Sequence, residues 1–217
     1  MRKRESSDNM RIRNIKNADE IIKDNKYIIE NPERYKGHYQ ELFNNNNEIH
    51  LEIGMGKGDF IISKALNNPD INFIGLEKYT SIVARAVKKL EDLDLTNLKI
   101  INGDALNLNN IFEKEISTIY LNFSDPWPKA RHSKRRLTSD TFLNIYDDIF
   151  KNKCVILQKT DNTNLFESSI ISLTNYGYKI EDMSLDLWST DKFYEETEYE
   201  RKFKNKGIKI NYLKATK

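Results

Sequence analysis

An α/β fold on a doubly wound, mostly parallel sheet is the expectation for this chain, and three observations carry it. Apolar runs of strand length alternate with segments whose apolar residues recur at helical spacing, an order that builds right-handed βαβ crossovers. The chain has 217 residues, enough for one α/β domain with a proper core and short for two. Finally, the strand-like runs lead into loops that open at Glu52, Glu77, Asp104 and Asn122, all on one edge of the sheet. In such sheets ligands bind beyond the carboxyl ends of the strands.

Residues 1–17 are polar and basic, with Arg2, Lys3, Arg4, Arg11, Arg13 and Lys16. They are expected to form a flexible tail ahead of a single domain over 18–217. Residues 18–43 carry apolar positions at helical spacing broken near Asn31-Pro32, which predicts two short helices packed on that domain. "NNNN" at 44–47 reads as a polar linker, in keeping with the asparagine bias of the whole chain. "EIHLEIG" then predicts a strand and "DFIISKALNN" a helix; "INFIGLE" a strand and "SIVARAVKKLEDL" a helix; "LKIINGDA" a strand and "LNNIF" a short helix. "STIYLNF" is a fourth strand. After it come a helix over 138–149, the strand "KCVILQKT", a helix over 164–175, and two closing strands near 178–187 and 207–214.

Charged residues make up 31% and hydrophobic ones 38%, with a formal net charge of only +2, so a nucleic-acid partner has to be argued from how charge is distributed. The single cysteine, Cys154, excludes a disulfide framework or cysteine-rich metal site and sits in the apolar run "CVIL", where a buried, inert thiol is expected. His38 and His50 are too scattered for a metal site, so no metal is assigned. No apolar run approaches the ~20 residues of a membrane span, and the polar N-terminus lacks a signal-peptide core; a cytoplasmic protein with no membrane contact is expected.

"LEIGMGKGDF" places Gly54, Gly56 and Gly58 between a strand and a helix, where glycine allows a tight turn and close approach of a ligand. Alone the turn is a weak signal; the acids at successive strand ends decide its reading. A carboxylate ending the second strand, Glu77, can accept both ribose hydroxyls of an adenosine cofactor. A dinucleotide would set a pyrophosphate against Glu52 and Asp59. A cationic, phosphate-free ligand suits these acids better, and S-adenosylmethionine is that ligand: Glu52 near its amino-acid end, Glu77 on its ribose, Asp104 near its adenine amine.

The fourth strand end should then hold the methyl acceptor. "NFSDPWPKARHSKRRLT" (122–138) sets Asp125 in a loop stiffened by Pro126 and Pro128 and follows it with Lys129, Arg131, His132, Lys134, Arg135 and Arg136. Such a basic run at an active edge suggests phosphate binding, and hence a nucleic acid. Trp127 offers a stacking face or, more ordinarily, a packing plug. The two oxygens of a carboxylate match the N1–H and N2 amine of guanine, so Asp125 could select guanine and hold it out of its stack. Guanine N7 carries no proton and needs no base. The carboxylate would stabilise the positive charge that methylation develops, and orientation would do the rest.

With these residues in view, "EIGMGKGDFI", "NGDA", "LNFSDPWPKARHSKRRLT", "KTDN" with "LFESS", and "TEYERKF" resemble, in order, the bacterial tRNA (guanine-N7-)-methyltransferase family, over about residues 10–213. The resemblance implies a seven-stranded, Rossmann-like class I methyltransferase sheet with an antiparallel last strand. It also implies transfer of a methyl group from S-adenosylmethionine to N7 of guanosine 46 in the tRNA variable loop, leaving S-adenosylhomocysteine. By position it puts cofactor contacts on Glu52, Glu77, Asp104 and Asp125, the catalytic aspartate on Asp125, and a substrate-binding lysine on Lys129. It puts RNA contacts on Arg131, His132, Ser133, Lys134, Arg135 and Arg136, and further substrate contacts on Asp161, Thr197, Glu198, Tyr199 and Glu200. No obligatory protein partner is expected, and the chain would act as monomer or homodimer. Ser124 stands where the family usually has proline. Residues 1–9 precede "MRIRN", which looks like the family's usual beginning, so Met10 is either the functional start or preceded by a lineage-specific tail.

Read without that resemblance, Asp161 and Asn162 could be a helix N-cap, and Thr197 to Glu200 a capping box. Rival functions are an exocyclic amino-group methyltransferase, an inactive RNA-binding module on the same fold, and a nicotinamide-dependent oxidoreductase. The four acids and the glycine turn argue against the second, and the lack of a pyrophosphate environment against the third.

Overall fold

The computed structural model describes residues 15–190, 200, 203–204 and 206–217. Among the described residues, seven strands form one sheet: β1 Ile49–Ile53, β2 Asn72–Glu77, β3 Leu98–Asn102, β4 Ile116–Asn122, β5 Phe150–Thr160, β6 Lys179–Ser184 and β7 Asn211–Thr216. Their order is β3-β2-β1-β4-β5-β7-β6. β1 to β5 run parallel, and β7 inserts antiparallel between β5 and β6. The expected sheet, with its antiparallel last strand, is the one observed. β7 lies several residues later than the expected 207–214, because its span is set by pairing of Asn211–Thr216 with Thr160–Val155 of β5.

The α-helices whose bounds lie within the described residues are α1 Ala18–Ile22, α2 Tyr39–Phe43, α3 Asp59–Asn67, α4 Thr80–Lys89, α5 Leu108–Ile111, α6 Asp140–Ile149 and α7 Thr163–Asn175. They cover both faces. Phe60, Ile61 and Ala65 of α3 and Val83, Ala86 and Val87 of α4 pack with Phe73, Leu98 and Ile100 on one side. Tyr39, Leu108, Phe142, Tyr146 and Phe166 meet Leu51, Ile74, Leu76, Ile119 and Leu121 on the other. The alternation of strand side chains divides the core this way. Cys154 is buried, as its apolar run suggested. No helix among the described residues is long and apolar enough to cross a membrane.

The two sheet edges are finished differently. At β3, the segment between α1 and α2 lays Ile28 in a parallel bridge beside Ile100, a contact that the helical reading of 18–43 did not contain. At β6, the pairing with β7 slips between Ile180 and Asp182. The carboxylate of the intervening Glu181 accepts from Lys153 Nζ at 2.8 Å and Thr216 Oγ1 at 2.9 Å, and lies 3.1 Å from Lys214 Nζ. The hydrogen bond from Lys153, joined by those from Lys214 and Thr216, pulls the Glu181 carboxyl down to about 2.

Asparagines take up chain ends. Asn44 caps α2 with φ 52°, and Asn45 and Asn72 exchange amide hydrogen bonds, so the asparagine run is structural as well as compositional. Asn97 Nδ2 converges on the carbonyls of Ala65, Asn68 and Ile71 at 2.9–3.1 Å and so joins the end of α3 to the starts of β2 and β3. Asn97→Ala strands these carbonyls and should cost roughly 2–3 kcal/mol. Urea unfolding monitored by circular dichroism would measure it; a loss within experimental scatter would remove Asn97 from this role.

Candidate active site

Four adjacent parallel strands bring Glu52, Glu77, Asp104 and Asn122 to one edge of the sheet, with Asp161 just past the end of β5 beside them. The glycine turn leaves β1 with φ values of 75°, 58° and 77° at Gly54, Gly56 and Gly58, a backbone region cheap only for glycine. The amides of Gly54 and Met55 donate to the Leu76 carbonyl at 2.8 and 3.1 Å, folding the turn over β2. Met55 then covers Gly75, where an added Cβ would lie 2.3 Å from the Met55 sulfur and would have to displace it. A Cβ on Gly54 or Gly56 would meet nothing within 4 Å, so these two glycines face open space. One on Gly58 would come within 3.3 Å of Ala86 and Ile62, so glycine there lets α3 pack against α4.

Glu77 is held by backbone. Its Oε2 accepts from Gly56 N–H at 3.1 Å and its Oε1 from Tyr79 N–H at 3.0 Å, which leaves lone pairs on both oxygens. Burial pushes its carboxyl upward, Asp125 adds to the push, and the backbone donors oppose it. Asp104 caps the 3-10 turn Ala105–Asn107 by accepting from Leu106 N–H, and its other oxygen lies 2.7 Å from Lys78 Nζ. Partial burial pushes its carboxyl upward, but Lys78 and the Leu106 amide outweigh this and hold it below the ordinary range.

Glu52 differs from both. It is 2% exposed, accepts from Asn122 Nδ2 at 2.8 Å through Oε1, and leaves Oε2 with no hydrogen-bond partner. Burial pushes its carboxyl up to about 8, against the Asn122 hydrogen bond and the charge of Lys159. A carboxylate buried with one orphaned oxygen, next to a glycine turn open to space, fits the cationic end of S-adenosylmethionine. The residues therefore suit that cofactor.

Asp125 is exposed, in the loop after β4. The loop is braced from within. Trp127 has φ 40°, and Arg136 donates from Nε to the Pro126 carbonyl and from Nη2 to the Trp127 carbonyl, both at 3.2 Å. The Arg135 guanidinium lies 4.9 Å from the Trp127 ring centroid, and His132 meets that ring edge-on at 5.8 Å. Trp127 thus packs within its own loop. Lys129, Arg131, Ser133 and Lys134 are exposed around the 3-10 turn Ala130–Arg135.

Asp161 is exposed, and the N-cap of α7 is Asn162, whose Oδ1 accepts from Leu165 N–H at 2.8 Å. Thr197, Glu198 and Tyr199 lie outside the described residues. Glu200 is described: its carboxylate is fully buried, 2.9 Å from Lys159 Nζ, and so faces the interior. Lys159, within "KTDN", carries no role in the sequence analysis, and no local signal marks it, because its strand FKNKCVILQKT holds two other lysines that are exposed. Among the described residues no group of His, Cys, Asp and Glu could hold a metal ion.

A protein-family model described as "Putative methyltransferase" matches residues 46–213. The tRNA (guanine-N(7)-)-methyltransferase of Lachnoclostridium phytofermentans is 47% identical, over 95% of this chain and 98% of its own. Its namesake from Streptococcus agalactiae serotype III is 46% identical, over 95% and 99%. Among solved structures, an antibiotic-related methyltransferase superposes with a TM-score of 0.63 at 16% identity, covering 89% of this chain and 97% of that one, a likeness of fold.

The buried Glu52 makes a testable contribution to stability. The folded state keeps its proton to about pH 8, whereas the unfolded chain releases it in the ordinary glutamate range. The folded state therefore binds more protons between those limits, and this contribution to stability falls as pH rises through them. Glu52→Gln should gain on the native chain across that window, by at most ~1.4 kcal/mol per pH unit, with no further gain above it. Urea titrations across the window give the difference; parallel pH dependences would refute the assignment.

Proposed function

The chain belongs to the tRNA (guanine-N(7)-)-methyltransferase family, and from that premise we propose that it methylates N7 of guanosine 46 in the variable loop of cytoplasmic tRNA, acting as monomer or homodimer. The observation that carries this reading is the braced loop presenting Asp125 beside the strand-end acids. S-adenosylmethionine, when bound, supplies the electrophilic methyl group. Glu77 uses the lone pairs left by Gly56 and Tyr79 for the ribose hydroxyls. Glu52 underlies the amino-acid end, Gly54, Gly56 and Gly58 keep the turn open, and Asp104 borders the adenine while sharing its charge with Lys78.

Asp125 accepts from N1–H and the N2 amine of guanine and stabilises the positive charge that develops on the ring. No general base is needed, because N7 carries no proton. Lys129, Arg131 and Lys134 project outward and meet phosphates, with Ser133 beside them. His132, Arg135 and Arg136 contribute by holding Trp127 and the loop backbone, in addition to any RNA contact. Asp161, Thr197, Glu198 and Tyr199 contact the substrate, and Glu200 ends that stretch. Incubation with an unmodified tRNA transcript and methyl-labelled cofactor, followed by nucleoside identification and position mapping, tests the reading. A label on an exocyclic amine, or on another guanosine, would overturn it.

Glu77→Ala removes the acceptor for two hydroxyls and should weaken cofactor binding at least ~10-fold, since each charge-assisted bond is worth ~1.5–3 kcal/mol. Calorimetry on the folded variant would show it, and an unchanged affinity would reassign Glu77 to the loop framework. Asp125→Asn keeps the size and loses the charge and one acceptor. Bulk tRNA binding should persist through phosphate contacts, while single-turnover methyl transfer falls ~10²–10³-fold. A variant with the native rate would reduce Asp125 to a loop residue.

A further inference from the structure

The backbone on either side of Asp125 is held in a conformation that bulky side chains resist. Phe123 has φ 51° and Trp127 φ 40°, each two residues from Asp125, one before it and one after. An aromatic residue in this left-handed region strains the chain, and the strain persists only where the surroundings impose it. At Trp127 they do so through the two Arg136 hydrogen bonds, with Arg135 and His132 against the ring. At Phe123 the amide donates to the Lys159 carbonyl at 2.8 Å, and the ring packs against a small separate apolar cluster. Leu187, Ile210 and Tyr212 are the buried centre of that cluster, and Leu157, Trp188 and Phe203 pack around it with Phe123. Its parts are tied to one another. Leu187 N–H donates to the Ile210 carbonyl at 2.8 Å, Trp188 Nε1 donates to the Ile208 carbonyl at 3.2 Å, and the Phe203 ring lies 6.0 Å from that of Phe123.

We propose, resting on the reading of Asp125 as the catalytic carboxylate, that Phe123 is a positioning residue: its ring, seated against this cluster, imposes the left-handed turn that aims Asp125. An extended residue would carry the chain on along the line of β4. The left-handed one turns it aside, and Asp125 follows two residues later. Phe123 anchors the loop before Asp125 and Trp127 anchors it after, so the carboxylate hangs between two fixed points although it is itself exposed. The first anchor is built from the closing part of the chain: Leu187 comes after β6, and Tyr212 belongs to β7. The antiparallel end of the sheet, which carries none of the acids at the ends of β1, β2 and β3, thereby takes part in placing Asp125. Such placement matters to rate, since a displacement of about 1 Å at the reacting groups can cost ~10²-fold.

The test is single-turnover methyl transfer with unmodified tRNA transcript and S-adenosylmethionine both saturating. Phe123→Gly adopts the turn without strain but gives up the anchor, and its rate should fall ~10- to 100-fold. Its affinities for cofactor and for bulk tRNA should stay within ~2-fold of native, because neither depends on where Asp125 points. Phe123→Leu keeps an apolar group against the cluster and should recover the rate to within ~5-fold of native. The decisive readout is a cycle with Asp125→Asn. Once the carboxylate is gone there is nothing left to aim, so Phe123→Gly should cost at most ~3-fold more in that background. Should Phe123→Gly fold poorly, Phe203→Ala withdraws the neighbouring ring while leaving the loop sequence whole. It should slow transfer by ~3-fold or more, and again only where Asp125 is present. A native rate in these variants, or a loss that repeats in full in the Asp125→Asn background, would make Phe123 a plain packing residue. A native rate in Asp125→Asn alone would instead overturn the catalytic reading of Asp125, and this assignment with it, so the two failures are distinguishable.

Discussion

The carboxylate of Glu77 is the constraint on which the edge of the sheet depends. One oxygen receives the Gly56 amide and the other the Tyr79 amide, while the main-chain carbonyl of Glu77 receives Gly103 N–H and Asn102 Nδ2. The glycine turn, the start of α4 and the turn after β3 are thereby referred to one residue. A neutral amide of the same shape could offer an oxygen to only one of the two backbone donors. The shape of the loops and their charge are one design.

Next to this fixed point runs a row of polar side chains on the α3 face of the sheet. His50 Nδ1 lies 3.0 Å from the Tyr120 hydroxyl, Glu52 meets Asn122, and Lys159 meets Glu200. Positions of this kind are ordinarily apolar, and apolar groups would be cheaper to bury. Burial lowers the His50 pKa and raises that of Glu52, so the row favours neutral forms except where a partner holds a charge. Local rules of burial are broken here next to the proposed chemistry, which is where such breaks are expected.

Much of this was legible in the sequence because parallel strands covered on both faces read as continuous apolar runs, and five of them end at one edge. The glycine turn and the strand-end acids could be located from spacing alone. Partnerships across the sheet could not. Arg136 sits in a basic run that reads as phosphate-binding, yet two of its donors serve the backbone of its own loop. Gly75 looks like an ordinary strand residue until Met55 is placed over it. The bridge at Ile28 and the pairing of Lys159 with Glu200 join residues far apart in the chain, and no local pattern announces either.

The finish of the two sheet edges bears on how copies of the chain can associate. An open edge strand is a template that recruits further strands from any neighbour. Here the β3 edge is occupied by the bridge at Ile28, and the β6 edge is kinked at Glu181, whose carboxylate is gathered by Lys153, Thr216 and Lys214. A bulge twists an edge away from a straight partner, and a charge set into it would have to be desolvated by any strand that docked there. Lateral growth of the sheet is disfavoured at both ends. Self-association of these described surfaces is thus directed to side-chain contacts, which can be specific and reversible where strand addition is neither.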